Sequence, residues 1–260
     1  MNDDELEKYV LITKTNRFKK LVEATHKEID KALEISKSFY LSYSSGKDST
    51  VLLDLLSRHH WSQQALHMIA SKYEDPEENI ILSKKAEQKY NITINRVDCY
   101  GEYDAWKEVG HFFIKPDTQE EKRCANKANN DFKKAAEMFS VENGLPNRFM
   151  GVTKAESRAR EINIAVRGKT YQLTNGTYAS NPLANWKNED IWAYIAINNL
   201  DYLSVYDKQL FKKRELIRNE LTVLYQNEAL AREILVMYRY AYPLLFKQLI
   251  AEFPEARAFV

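Results

Sequence analysis

Phe39-Tyr-Leu-Ser-Tyr-Ser-Ser-Gly-Lys-Asp-Ser-Thr-Val-Leu-Leu-Asp-Leu-Leu56 is the stretch of sequence that decides the fold. An apolar run of β type ends near Ser44, and a helical apolar run begins near Asp48. Small residues between the two runs let the backbone approach an anion, and the first N–H groups of a helix have no partner within it. The helix dipole also favours negative charge there. The stretch therefore predicts a phosphate-binding junction between a strand and a helix.

The side chains of this loop suit the same task. Ser44 and Ser49 offer hydroxyl donors, Lys47 carries a positive charge, and Asp48 is expected to be the N-cap of the helix. The spacing excludes a Walker loop, because Asp48 follows Gly46-Lys47 and the required earlier glycine is missing. The glycine pattern of a Rossmann turn is also absent. The segment is thus another class of phosphate loop, or a serine-rich turn with a capping aspartate.

Length and composition narrow the classes of protein. A chain of 260 residues can bury a full core, and we expect one α/β domain with a helical appendage. The formal net charge of +1 predicts that any contact with nucleic acid would need a local basic patch. No signal peptide or long apolar run is evident, which predicts a cytoplasmic protein without a membrane span. Cys99 and Cys124 are too few for a disulfide framework or an iron–sulfur cluster within one chain.

Strand and helix patterns alternate along the chain. Strands are predicted over residues 39–44, 65–70, 92–98, 148–152 and 171–174. Helices are predicted over 21–37, 48–59, 76–90, 103–109, part of 115–140, 154–163 and most of the chain beyond 188. This alternation predicts a doubly wound, mainly parallel, five-stranded α/β sheet with a helical C-terminal region. The predicted domains are residues 1–207, with a helical lead-in over 1–37, and a helical extension over 208–260.

A second polar segment follows the fourth predicted strand. It runs Gly151-Val-Thr-Lys-Ala-Glu-Ser-Arg-Ala-Arg160, and parallel strands would deliver it to the same sheet edge as the loop at 44–49. Glu156 and Arg160 are expected to share a helix face. The charges of this segment either contact a bound phosphate or form an ordinary solvated helix face.

These segments resemble a known superfamily. The loop at 44–49 is similar to the S-G-G-K-D-S signature of the PP-loop ATP pyrophosphatases, with Ser45 in place of the first glycine. The segment from Gly151 to Arg160 resembles the G-x-R-x-x-E-S-x-x-R motif of the phosphoadenosine phosphosulfate (PAPS) reductase branch, with Thr153 in place of its arginine.

Two further segments carry the same resemblance. Residues 181–195 have the form N-P-L-x-x-W-x-x-E-D-I-W-x-Y-I, similar to a stretch of that branch, and Tyr206-Asp207 follows them. Trp186 and Trp192 in this stretch are interpreted as core residues, and Asp190 as a helix-start residue. Arg123-Cys124 before Lys127 resembles its R-[WC]-C-x-x-x-K segment, which makes these three residues candidate substrate contacts.

The resemblance implies an adenine nucleotide α-hydrolase-like fold that binds ATP with Mg²⁺. In that superfamily the loop holds the β- and γ-phosphates while the α-phosphate is attacked, so that AMP is transferred and pyrophosphate leaves. Lys47, Asp48 and Arg160 would then be catalytic, and Asp48 a candidate Mg²⁺ ligand. The residues implied to bind the nucleotide are Ser44, Ser45, Gly46, Lys47, Asp48, Ser49, Gly151, Glu156, Ser157, Arg158 and Arg160.

The sequence leaves several interpretations of the function open. The chain lacks a C-terminal cysteine of the reductase type, so thioredoxin-dependent reduction of PAPS is not expected. Cys124 is either a reactive thiol beside basic residues or an inert one. The protein is an AMP-transferring enzyme, a nucleotide-binding regulatory or structural subunit of a larger phage-defence or DNA-modification complex, or a sulfonucleotide-binding enzyme. The acceptor, and any transfer of sulfur, cannot be read from the sequence.

Candidate partners follow from two features. The apolar C-terminal helices either complete the core or bind another protein. Basic runs over residues 115–134 and 208–218, the second containing Arg214, either bind a polynucleotide backbone or form solvated surface.

Overall fold

A computed structural model describes residues 1–73, 76–109, 119–208, 213–217 and 228–260. The helices are α1 (Asp3–Thr13), α2 (Asn16–Ile35), α3 (Lys47–Leu56), α4 (Glu77–Tyr90), α5 (Gly101–Val109), α6 (Gln119–Asn143), α7 (Arg158–Arg167), α8 (Asn188–Asn198), α9 (Glu228–Ala241) and α10 (Pro243–Glu252). The strands are β1 (Phe39–Ser42), β2 (Gln64–Ile69), β3 (Thr93–Asp98), β4 (Asn147–Met150), β5 (Thr170–Gln172) and β6 (Tyr178–Ser180). Short 3-10 helices span Lys154–Glu156, Ser204–Asp207, Arg214–Leu216 and Pro254–Phe259.

The sheet has the strand order β3-β2-β1-β4-β6-β5. β1 pairs in parallel with β2 and β4, β6 pairs in parallel with β4, and β5 is antiparallel to β6 at the edge. The predicted mainly parallel, doubly wound α/β fold is confirmed. The predicted number of five strands is wrong, because β6 is a strand of only three residues. The turn before it contains Asn175-Gly176, with Gly176 at a φ of 84°, so a hairpin signal was present in the sequence.

The order of strands reverses between β1 and β4, which makes this pair the topological switch point. Phe39, Tyr40 and Leu41 of β1 are buried, as expected of a central parallel strand covered on both faces. The last residues of the two strands, Ser42 and Met150, lie opposite each other. The loops that follow β1 and β4 therefore leave the sheet side by side at its carboxyl edge.

The chain packs as two compact units. One consists of Met1–His67, Leu82–Asn95 and Phe139–Tyr202, and the other of Met68–Ile81, Arg96–Met138 and Leu203–Val260. The domain boundary between residues 207 and 208 stays a prediction. The part of the chain that the structure describes holds no helix both long and apolar enough to cross a bilayer.

Tryptophans of the first unit lie in its core, as predicted. Trp186 and Trp192 are both buried, and the Trp186 indole N–H donates to Thr25 Oγ1 of α2 at 2.8 Å. Asp190 accepts from the Lys187 N–H at 3.0 Å, which confirms that it caps the start of α8. Its carboxylate also pairs with the guanidinium of Arg17. These contacts tie α8 to α2.

Helix α3 is anchored through a buried carboxylate near its C-terminal end, away from the loop. Asp54 accepts hydrogen bonds from the hydroxyls of Tyr90 in α4 and Tyr194 in α8, each at 2.8 Å. Burial, together with the Asp54 carboxylate, raises the pKa of both tyrosines, which therefore stay protonated as donors. The anchor fixes the position of α3, and hence of its N-terminus, within the first unit.

The second unit contains its own polar cluster around Glu252. Its carboxylate accepts from the hydroxyls of Tyr73 and Tyr103 and pairs with Lys72 at 2.7 Å. Burial opposes ionisation, but the hydrogen bonds from Lys72, Tyr103 and Tyr73 outweigh it and lower the pKa of Glu252 to about 2. The cluster joins the end of α10 to α5 and to the segment that follows β2.

Candidate functional site

The N-cap of α3 lies two residues earlier than the sequence predicts. Gly46, not Asp48, is the N-cap of α3, so the predicted capping role of Asp48 is wrong. The Thr50 N–H donates to the Gly46 carbonyl at 3.0 Å and closes the first turn, which leaves Asp48 as a first-turn residue. Gly46 has no side chain that could accept from the N–H groups at this end. The helix N-terminus is thus suited to receive an anion.

Two serines hold the loop in shape. The Ser44 N–H donates to Ser49 Oγ at 3.2 Å, and the Gly46 N–H donates to Ser44 Oγ at 3.3 Å. Ser49 Oγ in turn donates to the Gly46 carbonyl at 3.0 Å. Because the serine hydroxyls satisfy the loop's own backbone, they preorganise it.

Ser45 adopts a left-handed backbone conformation with a φ of 56°. This is the position at which the superfamily signature carries glycine, and such a conformation costs a non-glycine residue about 1–2 kcal/mol. The side chain is buried, and its hydroxyl lies 3.5 Å from Ser83 Oγ, at the outer limit of a hydrogen bond. Strain at this residue is therefore built into the loop.

We expect Ser45→Gly to raise the free energy of unfolding by about 0.5–1 kcal/mol, because the relief of strain exceeds the loss of one weak hydrogen bond. A thermal melt should show the midpoint rising by about 1–4 °C. Ser45→Ala is the matched control, since it removes the hydroxyl and keeps the strained Cβ. A midpoint for Ser45→Gly below that of Ser45→Ala would contradict the prediction.

Lys47 and Asp48 place opposite charges side by side at the helix start. Lys47 Nζ lies 2.5 Å from Asp48 Oδ2, and the Lys47 side chain is only 9% exposed. The other carboxylate oxygen, Asp48 Oδ1, is buried and has no hydrogen-bond partner among the described residues. An unpartnered buried carboxylate oxygen costs free energy unless a ligand satisfies it. The donor set fits a divalent cation that takes one protein carboxylate and several phosphate oxygens.

Gly151 places the second motif, the segment from Gly151 to Arg160, against this loop. A Cβ at Gly151 would lie 3.0 Å from the carbonyl carbon of Asp48 and 3.1 Å from the backbone nitrogen of Ser49. Both are backbone atoms, so a side chain at this position would displace the start of α3. The segment after β4 and the loop after β1 therefore lie directly against each other at the switch point.

The prediction of one helix over 154–163 is wrong, because two separate helices occupy this segment. The 3-10 helix Lys154–Glu156 comes first, capped by Thr153, whose N–H donates to Glu156 Oε1 at 3.1 Å. Ser157 then starts α7 by accepting from the Arg160 N–H at 3.2 Å. Two capping residues so close together cannot lie inside one continuous helix.

The charged residues of this segment form two pairs. The guanidinium of Arg160 pairs with Glu156, but the predicted shared helix face is wrong, because Glu156 precedes α7. Arg158 pairs with Glu161 at 2.8 Å, and its side chain is 80% exposed. The Arg160 pair is the more enclosed of the two.

The remaining candidate residues lie outside the loop at 44–49 and the second motif. Arg123, Cys124 and Lys127 lie in α6, but their side chains are outside the described part of the structure. Arg214, counted as part of a basic surface run, is buried and pairs with Asp207 at 2.5 Å. It therefore offers no charge to a polynucleotide, and that part of the interpretation is wrong.

Sequence reasoning missed a polar residue beside β4. Asn181 directly follows β6, is buried, and its Oδ1 has no partner among the described residues. Its loop adjoins the second motif, since the Lys154 N–H donates to the Ala184 carbonyl at 2.9 Å. The signal that could have found it is the N-P-L triplet that opens the stretch 181–195.

The comparison with family models decides the assignment. The model for the phosphoadenosine phosphosulfate reductase domain matches residues 38–256. The chain belongs to this family. No curated protein sequence matches the PAPS reductase-like chain.

Solved structures agree on the PP-loop fold. A PAPS reductase from Candida auris, in a phosphate complex, has 16% identity and a TM-score of 0.50, covering 80% of this chain and 92% of that chain. The U34-tRNA thiolase NcsA from Methanococcus maripaludis, with its [4Fe-4S] cluster, has 14% identity and a TM-score of 0.50. The match covers 93% of this chain and 80% of that chain. The NH3-dependent NAD synthetase from Campylobacter jejuni has 16% identity and a TM-score of 0.50. The match covers 93% of this chain and 95% of that chain. At these identities the likeness establishes the fold of the PAPS reductase-like chain and not its reaction.

Proposed function

We propose that this PAPS reductase-like protein is an ATP pyrophosphatase-like enzyme that activates an acceptor by AMP transfer. ATP with Mg²⁺ would bind at the switch point, with its phosphates at the N-terminus of α3. The acceptor, an oxygen on a nucleobase, nucleic acid, nucleotide or small metabolite, would leave as its adenylate together with pyrophosphate. The fold and the family membership support nucleotide binding, and the loop supports this reaction class because it lacks Walker chemistry.

One observation carries the proposal. Gly151 packs so closely against the backbone of Asp48 and Ser49 that a Cβ would lie 3.0–3.2 Å from it, and the backbone would have to move. Glycine is needed where a backbone must approach a partner closely. This direct backbone contact supports a single site that both motifs would share.

The charges at the helix start fit the phosphates of Mg·ATP. Lys47 supplies a positive charge with little access to water, and the N–H groups of the first turn point toward a bound anion. Asp48 Oδ1 is a buried acceptor that a hydrated Mg²⁺ would satisfy. When bound, Mg²⁺ neutralises charge on the phosphate oxygens. Glu156, Ser157 and Arg158, at or near the start of α7, would complete the nucleotide contacts.

The protein's part in the chemistry is positioning and electrostatics. The acceptor oxygen would attack the α-phosphorus, and the bond from that phosphorus to the bridging oxygen would break, so that pyrophosphate takes the electron pair. Lys47 and the loop N–H groups stabilise the charge that develops on pyrophosphate, and no covalent enzyme intermediate is needed. Arg160, held by Glu156, would stabilise the transferring group.

Product analysis tests the reaction class. With ATP labelled at the α- or γ-phosphate, we expect AMP, free or on the acceptor, and pyrophosphate, measured by chromatography with a cell extract as the source of acceptor. Lys47→Gln, which keeps most of the side chain and removes its charge, is the matched control for contaminating activity. ADP and phosphate as the main products would refute the proposal, and nucleotide binding without any turnover would favour a regulatory subunit.

Arg160→Ala should lower turnover about tenfold or more while changing ATP affinity less, because a charge aligned with the transferring group acts mainly in the transition state. Arg158→Ala is the comparison, since the Arg158 side chain is 80% exposed and should affect turnover less. Steady-state kinetics and calorimetry separate the two quantities. Wild-type turnover in Arg160→Ala, with an unchanged melting temperature, would show that Arg160 has no role in the reaction.

A further inference from the structure

An open hollow lies in the second unit, among α9, α10 and the 3-10 helix Pro254–Phe259. Its volume is about 450 Å³, within the range of small-molecule sites. The described residues that line it are Arg239, Pro243, Phe246, Lys247, Ile250, Arg257 and Val260.

The apolar floor of the hollow is one face of α10. Pro243, Phe246 and Ile250 are the apolar residues of this face, and Lys247 lies beside them on the same stripe of the helix. Phe246 is mostly buried, so the stripe belongs to the packed part of the unit and is not a loose surface. Phe246 therefore anchors the floor in the unit, while Pro243 is exposed and Ile250 is half-buried.

Three cations surround this floor. The side chains of Arg239, Lys247 and Arg257 are on exposed residues, and none of them forms an ion pair within the described ranges. In the same unit Lys72 and Lys107 both lie within ion-pair distance of Glu252. The lining described here contains no acidic side chain. Among the side chains that line the hollow, positive charge is thus concentrated without an acidic side chain beside it.

We propose that the hollow binds a small organic anion with an aromatic or acyl body and a carboxylate or phosphate head. The body would cover Phe246 and Ile250, and the head would lie between the two arginines and Lys247. Planar guanidinium groups bind such heads through paired N–H donors. A free phosphate would leave the apolar floor exposed, and a neutral apolar molecule would leave the cations unused. The site is independent of the nucleotide reaction.

Calorimetry with matched probes tests this site in the full chain. Naphthylacetate should bind at one saturable site, whereas acetate, which lacks the body, and naphthylacetamide, which lacks the charge, should bind at least about tenfold more weakly. Naphthyl phosphate then distinguishes a phosphate head from a carboxylate head.

Variants locate the binding. Arg239→Gln and Arg257→Gln should each weaken naphthylacetate about tenfold, and Ile250→Trp should fill the hollow and abolish binding. Lys133→Gln, an exposed cation of α6 outside the hollow, is the matched control and should change nothing. If Ile250→Trp fails to fold, the two arginine variants decide alone.

Three results would overturn the proposal. They are the absence of saturable binding to wild type, an unchanged affinity in both arginine variants, and equal affinity for naphthylacetamide. Tighter binding of polyglutamate than of naphthylacetate would instead assign the surface to an acidic polypeptide.

Discussion

Replacing Lys47 with alanine is expected to lower the turnover of ATP into AMP and pyrophosphate by about 100-fold or more. The ammonium group lies at the start of α3, within 2.5 Å of Asp48 and largely shielded from water, where a charge stabilises a developing phosphate anion most strongly. Single-turnover kinetics with labelled ATP measures the effect directly. Asp48→Asn should have a loss of similar size that added Mg²⁺ only partly restores, because the amide keeps the shape and loses the charge.

Two controls keep this result interpretable. Lys85→Ala removes an exposed lysine of the same unit, paired at 3.4 Å with Asp201, and should leave turnover unchanged. Lys47→Gln guards against misfolding, since it retains the buried stem of the side chain, and its melting temperature is measured alongside. Turnover within about threefold of wild type in Lys47→Gln would show that the loop does not act on the phosphates.

The fold and the loop could be predicted because their signals are local. A buried apolar strand, a short polar turn and a helical apolar run occur within 39–56, and the structure has β1 and α3 there. Glu156 and Arg160 were predicted to share a helix face, but they pair across the N-cap at Ser157, which local spacing does not reveal.

Other features depend on contacts between distant parts of the chain. Arg214 has the same local pattern as its exposed basic neighbours, and only its pairing with Asp207 in the folded unit shows that it is buried. Serine itself gives no signal for the left-handed conformation of Ser45, and only the glycine that the resembled signature carries at this position points to it. The N-cap was misplaced since aspartate is a better cap than glycine by propensity, whereas the loop closes at Gly46.

Replacing Gly151 with alanine is expected to weaken ATP binding about tenfold and to lower the free energy of unfolding by about 1–3 kcal/mol. The added methyl group would lie 3.0 Å from the Asp48 carbonyl carbon and 3.2 Å from its oxygen, and neither atom can move without the helix. The start of α3 would shift away from β4 and carry Lys47 and the first-turn N–H groups with it. Calorimetric titration of ATP with Mg²⁺, together with a thermal melt, measures both effects.

The variant Gly144→Ala separates the effect on stability from the effect on ATP binding. Gly144 has a φ of 62°, and a Cβ there would contact nothing within 4 Å, so alanine causes backbone strain without any pressure on the loop. We expect this variant to lose stability, by about 1 kcal/mol, and to bind ATP as wild type does. If Gly151→Ala also keeps wild-type affinity, the close approach of β4 to α3 serves packing alone, and the two motifs do not act as one site. If only Gly151→Ala loses affinity, the contact between the two backbones shapes the phosphate site itself.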